Sequence, residues 1–319
     1  MFALTDKWVW DFWFAHDGDE HHLFYLQAPK VLGDPELRHY NATVGHAASE
    51  DYENWELLPD ALRPGAEGGW DDLAIWTGST VRSGGLWYML YTGVNRRDRE
   101  LVQRIGLAVS ADLMHWEKHP ANPVLEADGR WYELFGQRGS RDQAWRDPWV
   151  FWREEDQHFH ALITARSASG PAEWSGVLGH ARSSDLVEWE VLPPLSEPGE
   201  FAQVEVPQLV ALDGHQVVLF SCRAEDHSTE RRRRLGDAAQ TGTFCFAADG
   251  LCGTYRPSEE PVLANGLEPL YAGKIVQLGY DDYRFMAFRE HGEAGFRGEL
   301  TDLMPVRVEA DGGFVACGE

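Results

Sequence analysis

Residues 45–59 read GHAASEDYENWELLP, residues 106–120 read GLAVSADLMHWEKHP, and residues 179–193 read GHARSSDLVEWEVLP. All three fit Gly-x-Ala-x-Ser-x-Asp-x-x-x-Trp-Glu-x-x-Pro without a gap, with starts 61 and 73 residues apart. An internal repeat of this period governs the whole fold. Within each copy a short alternating stretch runs into Ser-x-Asp, whose side chains hydrogen-bond the backbone just ahead and turn the chain, and a tryptophan-bearing stretch follows. That is a strand, a turn and a strand. A degenerate fourth copy, FCFAADGLCGTY at 244–255, keeps the alanine and an Asp249-Gly250 turn but has no tryptophan.

Between the copies lie further apolar runs: LFYLQAP at 23–29, LWYMLYTG at 86–93, HFHALITA at 158–165 and QVVLFSCR at 216–223. No stretch keeps a 3.6-residue apolar period over three turns. Strands in blocks of this length describe a β-propeller with four-stranded blades. The 319 residues leave room for about five blades. The expected architecture is therefore all-β, a five-bladed β-propeller forming one domain over residues 1–319.

The repeat also serves as a ruler. Asp11 lies 34 residues before Gly45, Asp147 lies 32 before Gly179, and Glu205 lies 37 before Gly242, near the start of the degenerate copy. The segment Trp76 to Ser79, WTGS, begins 30 residues before Gly106. The four segments thus sit near the start of successive blades, on the innermost strands that face a propeller's central channel. Each acid has apolar company: Asp11 in WVWDFWF, Asp147 in WRDPWVF, Glu205 in VEVPQLVAL. A single such acid could close a turn or pair with an arginine, as Arg146 beside Asp147 would allow. Three in register point instead to use, because an unpaired buried carboxylate is costly.

Composition narrows the partners. Asp and Glu outnumber Lys and Arg by 52 to 28, a formal charge of −24 that repels phosphate backbones and anionic membranes. A neutral ligand fits better than nucleic acid. The four cysteines, Cys222, Cys245, Cys252 and Cys317, show neither a CxxC pair nor metal-ligand spacing. The start, MFALTDKWVWDFWF, lacks the basic and apolar regions of a signal peptide, and no run of 18 apolar residues occurs, so a cytoplasmic protein without a membrane span is expected. HDGDEHH at 16–22 reads as a polar hairpin turn, not a zinc site. The Arg231–Arg234 run reads as a solvated loop, with a place on the pocket rim as the alternative.

With these residues in view, the chain resembles the fructosyl-active enzymes of glycoside hydrolase families 32 and 68. Trp8-Val-Trp-Asp11 sits where family 32 has Trp-Met-Asn-Asp, and VWDFW is closer to the family 68 form Val-Trp-Asp-x-Trp. HHLFYLQAP at 21–29 is similar to the His-Leu-Phe-Tyr-Gln stretch, and residues 44–62 resemble the Gly-His-Ala-x-Ser-x-Asp-Leu-x-x-Trp block. IWTGS is similar to Trp-Ser-Gly-Ser, WRDP to Arg-Asp-Pro, Val204-Glu-Val-Pro to Glu-Cys-Pro or Glu-Arg-Pro, and Leu270-Tyr271-Ala272 to the last blade's Phe-Tyr-Ala. The motifs run in order from about residue 8 to 290. The Asn-Asp-Pro-Asn-Gly tail of the first motif is missing, and Val206 stands where the relatives carry Cys or a substrate-binding Arg. The chain stops where family 32 enzymes continue into a β-sandwich, so a bare propeller is expected.

The resemblance implies a retaining mechanism with Asp11 as nucleophile, Glu205 as acid/base and Asp147 binding sugar hydroxyls and stabilising the cationic transition state, with Arg146 holding it. Retention needs the two carboxyls about 5–5.5 Å apart. The acid is expected to have a raised pKa from Val204, Val206 and negative neighbours. Trp10 or Trp13, Trp76 and Ser79 are candidate sugar contacts, with Gln27, Arg146 and Tyr271 completing the substrate-binding set. This chemistry calls for no metal or cofactor. Two alternatives stand beside it: an inverting arabinofuranosidase or xylosidase resembling family 43, and a sugar-binding propeller without catalysis.

Overall fold

The computed structural model describes residues 1–139, 142–212, 215–248, 250–251, 253–262, 269–279, 282–292, 295–308 and 314–316. Asp249, Cys252 and Cys317 lie outside them. Five antiparallel sheets follow one another along the chain. The first holds β1 (Lys7–Asp17), β2 (Glu20–Pro29), β3 (Thr43–Ser49) and β4 (Glu56–Leu62). The second holds β5 (Ala74–Ser83), β6 (Leu86–Val94), β7 (Arg104–Ser110) and β8 (Glu117–Lys118). The third holds β9 (Trp145–Arg153), β10 (His158–Arg166), β11 (Gly176–Ser183) and β12 (Trp189–Leu192). The fourth holds β13 (Glu205–Leu212), β14 (His215–Cys222), β15 (Gly242–Ala248) and β16 (Arg256–Pro257). The fifth runs β17 (Leu270–Gly279), β18 (Asp282–Gly292), β20 (Met304–Val308) and β21 (Phe314–Ala316), with β19 (Gly295–Leu300) pairing β18. This is the five-bladed propeller expected from the repeat.

The repeated segment is the third strand, turn and fourth strand of blades one to three. Ser49, Ser110 and Ser183 each donate to the aspartate two residues on. That aspartate accepts two backbone N–H groups ahead of it, and the indole N–H of Trp55, Trp116 and Trp189 closes the turn on the carbonyl three residues back. The residue after each aspartate, Tyr52, Leu113 or Leu186, takes a positive φ that these bonds hold in place. The repeat glycine has a steric cause: a Cβ on Gly45 would stand 2.3 Å from the Tyr25 ring.

The core lies between blades. Met89 and Tyr91 pack toward blade one, while Leu90 between them packs toward blade three. Ile163 and Leu162 divide in the same way between the second and third interfaces, and Leu219 and Phe220 between the fourth and third. Second strands are buried on both faces, which is why they read as continuous apolar runs instead of alternating ones. At the ring closure Phe2 and Leu300 exchange both backbone hydrogen bonds, joining the start of the chain to blade five.

Two local expectations change. HDGDEHH is indeed a hairpin turn at Gly18-Asp19, but His22 faces inward and its Nδ1 lies 2.8 Å from His46 Nε2. The arginine run is not a loop and does not line the central cavity: Thr229–Leu235 is a short α-helix, α1, with Arg232, Arg233 and Arg234 exposed. Its Arg231 is 0% exposed, paired with Glu200 and stacked over Phe201.

Candidate active site

The innermost strand of every blade breaks register near one place: between Trp10 and Phe12, Trp76 and Gly78, Glu205 and Gln208, Tyr271 and Lys274, and on β9 opposite Leu162 and Thr164. These are β-bulges. An ordinary strand sends consecutive side chains to opposite faces, whereas a bulge re-aims one of them. The left-handed residues Asp11 (φ 22), Asp147 (φ 56), Val206 (φ 51) and Ala272 (φ 50) mark four of the five, and Pro148 and Pro207 fall where a ladder donor is dispensable. Each blade thereby offers a dipeptide: Trp10-Asp11, Trp76-Thr77, Arg146-Asp147, Glu205-Val206 and Tyr271-Ala272. All but Ala272 line one central cavity of roughly 630 Å³.

The acids are held closely. Thr77 donates to Asp11 Oδ2 at 2.5 Å, and Thr164 to Asp147 Oδ2 at 2.8 Å, which also accepts from the Val206 amide at 3.3 Å. Arg146 Nη2 donates to Glu205 Oε1 at 2.5 Å, and its Nε lies 3.5 Å from Asp147 Oδ2. The Tyr271 hydroxyl donates to the other Glu205 oxygen. Burial, then the charge of Asp147, push Asp11 up to about 7, against the pull of Thr77. Burial also raises Asp147, with Arg146 opposing.

Glu205 departs from expectation. Burial pushes it up, as its valine neighbours suggested, but the Arg146 guanidinium and the Tyr271 hydroxyl outweigh that and hold it below the usual carboxylate range. Asp11 and Asp147 are thus pushed toward the protonated form and Glu205 toward the ionised one.

Of the residues singled out from sequence, Trp10, Asp11, Trp76, Arg146, Asp147, Glu205 and Tyr271 all reach the cavity. Three do not line it. Trp13 is 0% exposed, stacked on Phe24, with its indole N–H donating to Thr80; two residues past Asp11 and beyond the bulge, it points into the packing between blades. Gln27 is 2% exposed and donates to Thr43 and Asp60 within blade one. Ser79 is 1% exposed and latches β5 to β9, donating to Pro148 O and accepting from Val150 N.

Other residues were missed. Thr77, between two motif positions, holds Asp11; its signal is the dipeptide pattern itself. At the mouth, Arg223 grips Glu290 through two bonds of 2.9 and 2.7 Å, Arg38 lies 3.6 Å from the same carboxylate, and Tyr271 lies under Arg223. No repeat brings these together. Lys274, buried behind the carboxylates, also carried no sequence signal. Among the described residues no three His, Cys, Asp or Glu side chains are grouped to hold a metal ion, and no helix is long and apolar enough to cross a membrane.

Carboxylates on bulged inner strands around one central cavity are the groups that glycoside hydrolysis uses. The chain belongs to glycosyl hydrolase family 32: residues 12–259 match the family's N-terminal domain. It is 32% identical over 176 residues to the insoluble isoenzyme 2 of β-fructofuranosidase from Oryza sativa subsp. indica, covering 53% of this chain and 26% of that one. It is 33% identical over 183 residues to the sucrose:sucrose 1-fructosyltransferase of Festuca arundinacea, covering 55% and 25%. The match thus spans about a quarter of the length of these curated relatives. Among solved structures, the inulosucrase from Halalkalicoccus jeotgali bound to kestose superposes with a TM-score of 0.79 at 23% identity, covering 97% of this chain and 86% of that one.

Proposed function

We propose that this protein is a retaining β-fructofuranosidase acting on sucrose or short fructo-oligosaccharides, with water or a second sugar as acceptor. The observation that carries the reading is the convergence of Asp11, the Arg146-Asp147 pair and Glu205 on one cavity walled by Trp10, Trp76 and Tyr271. In this reading Asp11 attacks the anomeric carbon while Glu205 protonates the leaving oxygen, and Glu205 then activates the acceptor that releases the fructosyl unit. Asp147 and Arg146 take sugar hydroxyls.

The protein's own charges favour a proton on Asp11 over Glu205, the reverse of what the first step needs. Substrate supplies the change: a glycosidic oxygen set against Glu205 favours its protonated, donating form, and Asp11 ionises in exchange. The family match and the fructosyl-active relatives support this reading over an arabinoside- or xyloside-cleaving one. The test is product analysis by NMR after incubation with sucrose, short fructo-oligosaccharides and an arabinoside panel. Fructose released first as the retained anomer, or fructosyl-transfer products, is the expected result; arabinose release, or no turnover of any fructoside, would overturn the proposal.

A further inference from the structure

Lys274 lies on β17 three residues past Tyr271 and is 2% exposed. Its ammonium donates to the carbonyls of Val206 at 3.0 Å and Pro207 at 3.2 Å, the two residues of the bulge that follows Glu205. It sits 5.4 Å from the centre of the Trp149 ring. Beside it Gln208 binds the Ile275 backbone twice, at 2.8 and 2.7 Å, so blades four and five are already stitched together by a neutral amide. The two bulge carbonyls need donors, but a neutral donor would do. A buried ammonium is a costly choice unless charge is required.

The charge has a destination. Asp11 on β1 and Asp147 on β9 are the groups whose charge acts on Lys274, and Glu205 on β13 acts on both of them. On β17 itself Tyr271 is kept neutral by burial, and directly across on β18 stands Met286. Around the three carboxyls stand Arg146 and Lys274, with Arg223 also acting on Glu205. A retaining hydrolase needs an ionised nucleophile, and Lys274 is the cation whose charge pulls Asp11 down. Without it Asp11 would hold its proton to higher pH.

We propose that Lys274 is a positioning residue of this site: its ammonium anchors the bulge that presents Glu205 and serves as the internal counter-charge to Asp11 and Asp147. Only the kinetic part of this inference rests on the proposed fructoside chemistry. Burial pushes Lys274 down, the charges of Asp11 and Asp147 oppose that, and the Lys274 charge in turn pulls Asp11 down.

The experiment compares wild type, Lys274→Met, Lys274→Gln and Lys274→Arg in kcat and KM for sucrose across pH, together with a substrate-free infrared titration of the carboxyl band, assigned to Asp11 by its loss in Asp11→Asn. Removing the cation is expected to move the acid limb and the Asp11 midpoint up by about 1–3 pH units. It should lower kcat at pH 6 by about 10- to 100-fold with KM changed by less than about threefold. Lys274→Arg is expected to restore the acid limb. Lys274→Gln keeps donors for the carbonyls without the charge, so a wild-type profile in that variant would overturn the counter-charge. If neither neutral variant folds, the Lys274 midpoint followed by NMR in wild type and Asp11→Asn decides: it should fall when Asp11 is removed, and an unchanged midpoint overturns the proposal. A wild type without fructoside turnover would refute the activity, while the infrared and NMR titrations would still read the Lys274–Asp11 coupling.

Discussion

Asp11 and Glu205 occupy opposite electrostatic positions although both are half-buried carboxyls on bulged inner strands. What separates them is company: Glu205 has a guanidinium and a phenol on its two oxygens, whereas Asp11 has one threonine hydroxyl and the negative charge of Asp147. Their roles are separable by leaving group. Glu205→Gln is expected to lower turnover of sucrose by about 10²–10⁴-fold but to retain far more activity on a fructoside with an acidic phenol leaving group, which needs no proton. Asp11→Asn should abolish turnover of both, and equal losses on both substrates by the two variants would refute the assignment. Asp11→Asn should also stabilise the protein. A carboxyl raised to about 7 from 3.8 holds more protons folded than unfolded, so its contribution to stability falls as pH rises through that window. The thermal midpoint of Asp11→Asn is therefore expected to exceed wild type by about 2–4 °C at pH 8, and the gap should close toward pH 4.

At the scale of the blade, the Ser-x-Asp-Trp turn holds the outer strand to the third strand and touches no cavity residue. Ser183 is buried, donates to Asp185 and accepts the amides of Asp185 and Leu186. Ser183→Ala is expected to cost about 1 kcal/mol of stability in denaturant titration while kcat/KM stays unchanged. Blades one and three also share a device that the repeat half reveals. His46 and His180, both in the Gly-His-Ala position, each meet a histidine of the second strand, His22 or His160, at 2.8 Å, and a carboxylate follows at Glu20 or Asp156. Burial pushes His46 and His180 down from 6.5 to about 3. Below pH 6.5 the unfolded chain takes up protons that the folded blades refuse, so stability present in full above 6.5 is lost as pH falls toward about 3. The double variant His46→Gln/His180→Gln should show a flatter dependence of stability on pH between 6.5 and 4.5, and an unchanged slope would exclude these two histidines.

For the whole molecule, the seam where the chain closes its ring differs from the other blade junctions. Blades one to four each pass covalently to the next, but blade five meets blade one only through non-covalent contacts, among them the Phe2–Leu300 bridge and the Phe2 ring at 4.9 Å from Tyr25. Phe2→Ala is expected to cost about 3 kcal/mol, read as a lower thermal midpoint with the site's kinetics at 25 °C preserved. A midpoint equal to wild type would show that the seam closes without it.

The repeat made the propeller legible from sequence because its turn is local chemistry: a serine, an aspartate and a tryptophan acting within seven residues need no distant partner. The apolar second strands were legible for a similar reason, since a strand buried between two blades must be apolar on both faces. The ruler then placed Asp11, Asp147 and Glu205 on inner strands. Sequence could not show the bulges, which put two neighbouring side chains into one cavity and so distinguish Trp10 from Trp13, and Thr77 from Ser79. Nor could it show that Arg146 turns to Glu205, that Tyr271 arrives from 66 residues away, or that Lys274 lies behind the acids. Charge state belongs to that second group. A carboxyl's pKa follows from what lies within a few ångströms, and in a closed ring those neighbours come from four different blades.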